Sequence, residues 1–175
     1  MFRTTFTNNV TTLIPSDVDH QTIIKLLHDH DFLITMSPIV TRHSPRDKDP
    51  ATDKITYDVW ENIDLLPFGW WKHELHFTAS FQNKDNGVVS WIEAPLGFNS
   101  KADYSIRGAK AEDDLKAAEG SDSSGMVLEE NIESSCNLVF KPFVEMTMVP
   151  VRKKMHAQIV EKAREEGGAG AGAGQ

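Results

Sequence analysis

The sequence predicts an α+β fold: a curved antiparallel sheet of about seven strands wrapped on a long C-terminal helix, with two short helices after the first strand. Three observations carry this expectation. Apolar and polar residues alternate with period two in one stretch after another. The stretches are joined by turns too short for anything but antiparallel neighbours. Only the last stretch changes to a helical period, and it alone is long enough to cover a sheet face.

The first strand, residues 1–13, sets Phe2, Thr4 and Phe6 against Arg3, Thr5 and Thr7. Pro15-Ser16-Asp17 stops it, and Ser16 is a helix-capping residue type. Ile23, Ile24 and Leu27 then fall at helical spacing, predicting a helix over 17–28 and a second short turn up to Thr35. Ser37-Pro38 ends it, since a residue before proline avoids the α region. A short strand over 39–43 and a polar loop over 44–53 follow. Strands are expected over 54–63, 71–82 and 88–94, with Pro67-Phe68-Gly69 and Asn86-Gly87 marking two turns. Another strand covers 98–107. The Ala-, Asp- and Glu-rich stretch 108–124 reads as a solvated loop, and 126–137 as the last strand. Phe140, Val144, Met148, Val151, Met155 and Ile159 then mark the stripe of the long helix, to about Glu165. Pro150 inside it lacks an amide donor and is expected to kink it. The domain is therefore 1–166. Residues 167–175, a Gly-Ala repeat with little to bury, are expected to be a disordered tail.

Composition excludes several function classes. Lys plus Arg is 18 and Asp plus Glu is 26, a net charge of −8. That balance disfavours a nucleic-acid partner, which needs a basic footprint. Cys136 is the single cysteine, so no internal disulfide or multi-cysteine zinc site forms. No apolar run approaches the ~20 residues of a membrane helix, so no membrane insertion is expected. The expected setting is cytoplasmic.

Several stretches also carry a resemblance. Met1-Phe2-Arg3-Thr4-Thr5, Leu26-Leu27-His28-Asp29-His30 and Ser37-Pro38 belong to it. So do Leu65-Leu66-Pro67-Phe68-Gly69, Glu93-Ala94-Pro95-Leu96-Gly97-Phe98, and Cys136-Asn137-Leu138 before a helix carrying Lys154 and His156. Over residues 1 to about 165 the chain resembles START-like domains of the SRPBCC superfamily, and more narrowly a group of fungal START-like domain proteins. The resemblance implies the helix-grip fold and an internal cavity for apolar small molecules such as lipids, sterols or polyketides. Some members of that superfamily are cyclases, and others only bind or carry.

The candidate residues are polar groups on apolar strand faces. The alternation places Tyr57, Glu61, His73, Glu93, Tyr104 and Glu130 on the face that carries Val59, Phe77, Trp91 and Leu128. A carboxylate among apolar neighbours is disfavoured in its charged form, which suits proton transfer. Glu130, between Leu128 and Ile132, is the expected buried acid, retaining its proton above the usual ~4.3. Glu61 reads as a rim residue. Should the protein be an enzyme, Glu130, His73 and Glu93 are the catalytic candidates. Tyr57, Phe77, Trp91, Tyr104, Leu128, Phe143 and Met148 are the expected ligand-binding residues. No cofactor and no metal are expected: in His28-Asp29-His30-Asp31 the two histidines are two apart, while helical ligands need i and i+4. The expected function is binding of a small apolar molecule between sheet and helix. The alternative is a secondary-metabolite cyclase or isomerase using acid and base groups in the same cavity.

Overall fold

The computed structural model describes residues 3–64, 72–110, 113 and 123–171. Strand β1 (Arg3–Pro15) leads into helices α1 (His20–His28) and α2 (His30–Thr35). Six strands follow: β2 (Val40–Lys48), β3 (Ile55–Asp64), β4 (Lys72–Lys84), β5 (Gly87–Ala94), β6 (Phe98–Gly108) and β7 (Ser123–Asn137). Helix α3 (Lys141–Ala171) closes the chain. The strands form one sheet in the order β1-β7-β6-β5-β4-β3-β2, with every pairing antiparallel. Sequential strands are neighbours, and only β1 reaches across to the last one. This is the predicted helix-grip architecture.

Local chemistry sets the element ends, in places other than those expected. Asp19, not Ser16, caps α1: its carboxylate accepts the Gln21 N–H at 3.2 Å. Asp29 caps α2 in the same way, accepting the Phe32 N–H at 2.9 Å. It also ends α1, so one residue makes the break between the two helices. Strand β2 runs to Lys48, through part of the expected loop. As the last strand of the sheet it tolerates Pro45, and its register shifts between Pro45 and Asp47. Asn137 caps the 3-10 turn Leu138–Phe140 that precedes α3, accepting the Val139 N–H at 3.2 Å.

Helix α3 continues through Gly167 to Ala171, into the segment expected to be tail. Residues 172–175 lie outside the described residues. Pro150 sits on the exposed side of α3, where its ring meets water. It leaves the Met146 carbonyl without its intrahelical donor.

The core fills the concave side. Ile14, Ile23, Leu27, Leu128, Ile132 and Ile159 are each buried to 2% exposure or less. Each stabilises the fold by about 1.5–3 kcal/mol relative to an exposed side chain. They join β1, α1, β7 and α3, one half of the sheet. Over β3 to β6 the filling is incomplete. No helix among the described residues is long and apolar enough to cross a membrane.

Candidate functional site

Between β3–β6 and the covering helices lies a cavity of about 430 Å³. Period two on the strands aims Val59, Phe77, Ala79, Phe81 and Ile92 into it. Helix α2 supplies Leu33 and Ile34, and α3 supplies Val144, Met148 and Met155. Val151 also lines the space while 54% exposed, so the cavity reaches solvent there. The size suits one small molecule.

One wall is charged. Glu130 on β7 and His156 on α3 are both fully buried, with Nε2 to Oε2 at 3.2 Å. The other ring nitrogen of His156 meets the Thr12 hydroxyl at 3.0 Å. Arg152, one helical turn before His156, brings Nη1 to 3.3 Å from Glu130 Oε1. The same Nη1 donates to the Tyr104 hydroxyl at 2.8 Å. Of these groups Arg152 and Tyr104 line the cavity, with Glu130 and His156 behind them. Burial pushes the Tyr104 phenol well above its usual range. Burial works against the Arg152 charge, but Tyr104 and Glu130 outweigh it and hold the guanidinium above its ordinary value.

A second polar place lies on β3. Glu61 lines the cavity and accepts a hydrogen bond from Ser37 at 3.3 Å. Burial raises its carboxyl above the ordinary range, and the Ser37 bond offsets only part of that.

The structure sorts the candidate residues. Phe77, Tyr104 and Met148 line the cavity. Leu128 is fully buried in the core beneath α3 instead of facing the cavity. Tyr57 is buried beside it: its hydroxyl meets His30 Nδ1 at 3.2 Å, and its ring is edge-on to Phe81. Trp91 and Glu93 lie on the opposite face of the sheet from that expected. The register sets Ser90 against Ala102 and Val88 against Tyr104, so the even-numbered residues of β5 face inward. Trp91 is paired with Lys101 and lies under the Lys54 ammonium, 5.2 Å from the ring centroid, and Glu93 is exposed. Glu130 is buried as expected, but not unpaired: Arg152 and His156 both face its carboxylate. The side chains of His73 and Phe143, the Pro67-Phe68-Gly69 turn and Trp70-Trp71 lie outside the described residues. Of the expected 108–124 loop, residues 123 and 124 belong to β7, and Asp113 alone is described between 110 and 123; Arg107 beside it holds its carboxyl down at about 2.

The His28-Asp29-His30-Asp31 run sends its side chains to four separate places. His28 faces the Lys84 and Gly87 carbonyls at 2.9 and 3.0 Å, and His30 donates to Asn83 at 2.9 Å. Asp29 caps α2, and Asp31 pairs with His43 at 2.8 Å.

Arg152 and His156 went unassigned at the level of sequence. Their signal is spacing: Met148, Arg152 and His156 stand four apart, on the stripe that α3 turns inward.

Two solved structures share this architecture. A Staphylococcus aureus protein of unknown function, SA2116, superposes with a TM-score of 0.56 at 9% identity, covering 94% of this chain and 96% of that one. The di-domain ARO/CYC protein BexL of the BE-7585A biosynthetic pathway gives 0.54 at 10% identity. That match covers 92% of this chain and 49% of BexL, about half its length. Identities this low carry the fold alone. No curated protein matches the sequence. A family model described as "Domain of unknown function (DUF7053)" matches residues 2–165, and the chain belongs to that family.

Proposed function

We propose that this protein binds a small, largely apolar molecule, of lipid, sterol or polyketide type, in the cavity between sheet and α3. On this reading it is a START-like carrier of the SRPBCC superfamily, acting in the cytoplasm. The observation that carries the proposal is the cavity of about 430 Å³, walled by aliphatic and aromatic side chains in an otherwise packed domain. Release of its water and burial of a ligand's apolar surface drive association. Native mass spectrometry of the freshly purified protein tests it. A mass increment that organic extraction removes is the expected result, and a fluorescent apolar probe such as Nile red should enter the emptied protein. Failure of the probe to bind would end the proposal.

One observation favours a second reading, a cyclase or isomerase of secondary metabolism. The Tyr104 hydroxyl stands at the cavity wall, fixed by Arg152 at 2.8 Å. A phenol so held can donate a hydrogen bond to a carbonyl oxygen as negative charge develops there. Glu130 then acts through Arg152, not on a ligand. Incubating a linear poly-β-ketone thioester with the protein and with Tyr104→Phe tests this reading. Equal product distributions in protein and buffer would remove it.

A further inference from the structure

We infer that the cavity selects an apolar molecule ending in a carboxylate, and that Arg152 and Ser90 receive that group. The inference rests on the proposal that the cavity binds an apolar molecule, and adds which polar end the molecule carries.

Arg152 uses one nitrogen for the protein. Nη1 serves Tyr104 at 2.8 Å, the Met155 sulfur at 3.8 Å, and Glu130 at 3.3 Å. Among the described residues, Nη2 and Nε make no hydrogen bond, and neither is closed off as a buried orphan. The Nε–Nη2 edge is one of the two guanidinium edges that match a carboxylate with two parallel bonds. Arg152 lines the cavity and its side chain is 13% exposed, so that edge is open to a ligand.

Ser90 supplies a further donor. It is 5% exposed and lines the cavity, so its hydroxyl can turn towards a ligand there. Register places it diagonally from Tyr104, since Ser90 pairs with Ala102 and Val88 with Tyr104. Such diagonal neighbours stand about 7–8 Å apart at their Cα atoms. A carboxylate between Ser90 and the Arg152 edge gains partners for both.

The charges around the cluster agree. Two basic side chains, Arg152 and His156, share the single carboxylate of Glu130. Arg152 meets that carboxylate through Nη1, which leaves its Nε–Nη2 edge for a second anion. Glu61, on β3 and three strands across the sheet from Tyr104, places an acid and, among the described residues, no cation elsewhere in the cavity. Among the described residues that end offers no cationic partner to an acidic group, whereas Arg152 does.

The test compares decanoic acid, 1-decanol and decylamine as competitors for bound Nile red at neutral pH. The acid should displace the dye at a concentration at least ten-fold lower than the alcohol, with the amine weakest. Arg152→Met/Glu130→Gln removes both charges together and should shrink the acid's advantage over the alcohol to less than three-fold. Ser90→Ala, which disturbs no pairing, should weaken the acid two- to five-fold more than the alcohol, and it keeps the test decisive should the double variant fail to fold. Equal displacement by acid and alcohol from the unaltered protein would overturn the inference and leave the apolar cavity standing. An acid preference that survives both variants would overturn the assignment to Arg152 and Ser90. If neither Nile red nor any decyl compound binds, the cavity proposal falls, and this inference with it.

Discussion

Glu130 Oε2 and His156 Nε2 meet at 3.2 Å where β7 passes under α3, and neither side chain is exposed to solvent. The contact joins the C-terminal helix to the sheet through a buried polar contact as well as packing. Thr12 holds the far nitrogen of the imidazole, and Arg152 holds the far side of the carboxylate. Removing any one member leaves the others desolvated and unmatched.

Glu130→Gln should therefore destabilise the protein. Treated as a lone buried acid, Glu130 would be better replaced by Gln at neutral pH. Paired with Arg152 and His156, it should not be. Breaking one partner of a buried ion pair typically costs about 3–5 kcal/mol, and the retained Tyr104 bond to Arg152 puts the expected loss near the lower end. Urea unfolding at pH 7 measures it. A stability equal to or above that of the unaltered protein would mean the pairing contributes nothing.

Ala79→Phe should close the cavity. Ala79 is 4% exposed, sits mid-strand on β4 and lines the space. A ring added there occupies volume that a ligand would need. Overpacking a dense core usually costs about 1–3 kcal/mol, but a cavity of this size receives the ring with less strain. The expected result is loss of Nile red binding with a melting temperature within a few degrees of the original. Undiminished dye binding would place the apolar site elsewhere.

Stability should fall with rising pH through Glu61. Its folded pKa is raised by burial, so the folded state holds the proton that the unfolded chain has released. Between the two pKa values the unfolded state binds fewer protons, and stability declines as pH rises from the ordinary carboxylate value of about 4.3. The decline stops above the folded pKa. Glu61→Gln removes this contribution, so its stability relative to the unaltered protein should climb from pH 4 upward and then level. A difference independent of pH would refute the assignment.

The sheet and its order were legible because alternation and short turns are local signals. In β6, Ala102, Tyr104 and Ile106 face one way, as period two requires. Strand β5 misled, because Val88, Val89 and Ser90 are all buried and mask the alternation. The largest apolar residue, Trp91, then draws the eye inward although Ser90 holds that face. The charged wall was half legible. Glu130 stood out against Leu128 and Ile132, but its partners lie on α3, 22 and 26 positions further along the chain. No local pattern links a strand acid to helix bases at that separation. The premise of an unpaired carboxylate followed from the missing partners.

The Asn86-Gly87 pair gives the last prediction, because its role differs from the expected one. An Asn-Gly hairpin of the commonest type needs a positive φ at both residues. Among the described residues only Asp53, Gly97 and Gly125 have a positive φ. Lys84 pairs with Gly87, so Asp85 and Asn86 form the loop and Gly87 opens β5. What Gly87 supplies is closeness. A β-carbon there would run into the Tyr104 carbonyl oxygen of β6, a backbone atom that cannot rotate away. Gly87→Ala must part β5 from β6 beside the tyrosine that holds Arg152. The expected cost is about 1–3 kcal/mol in urea unfolding, as for other forced overpacking. Affinity for Nile red should fall as well, since the shift reaches the cavity wall. Gly108→Ala is the control: a β-carbon at Gly108 meets nothing within 4 Å, and its stability should stay within ±0.5 kcal/mol of the original. Equal effects from the two substitutions would show that the contact with Tyr104 does not set the result.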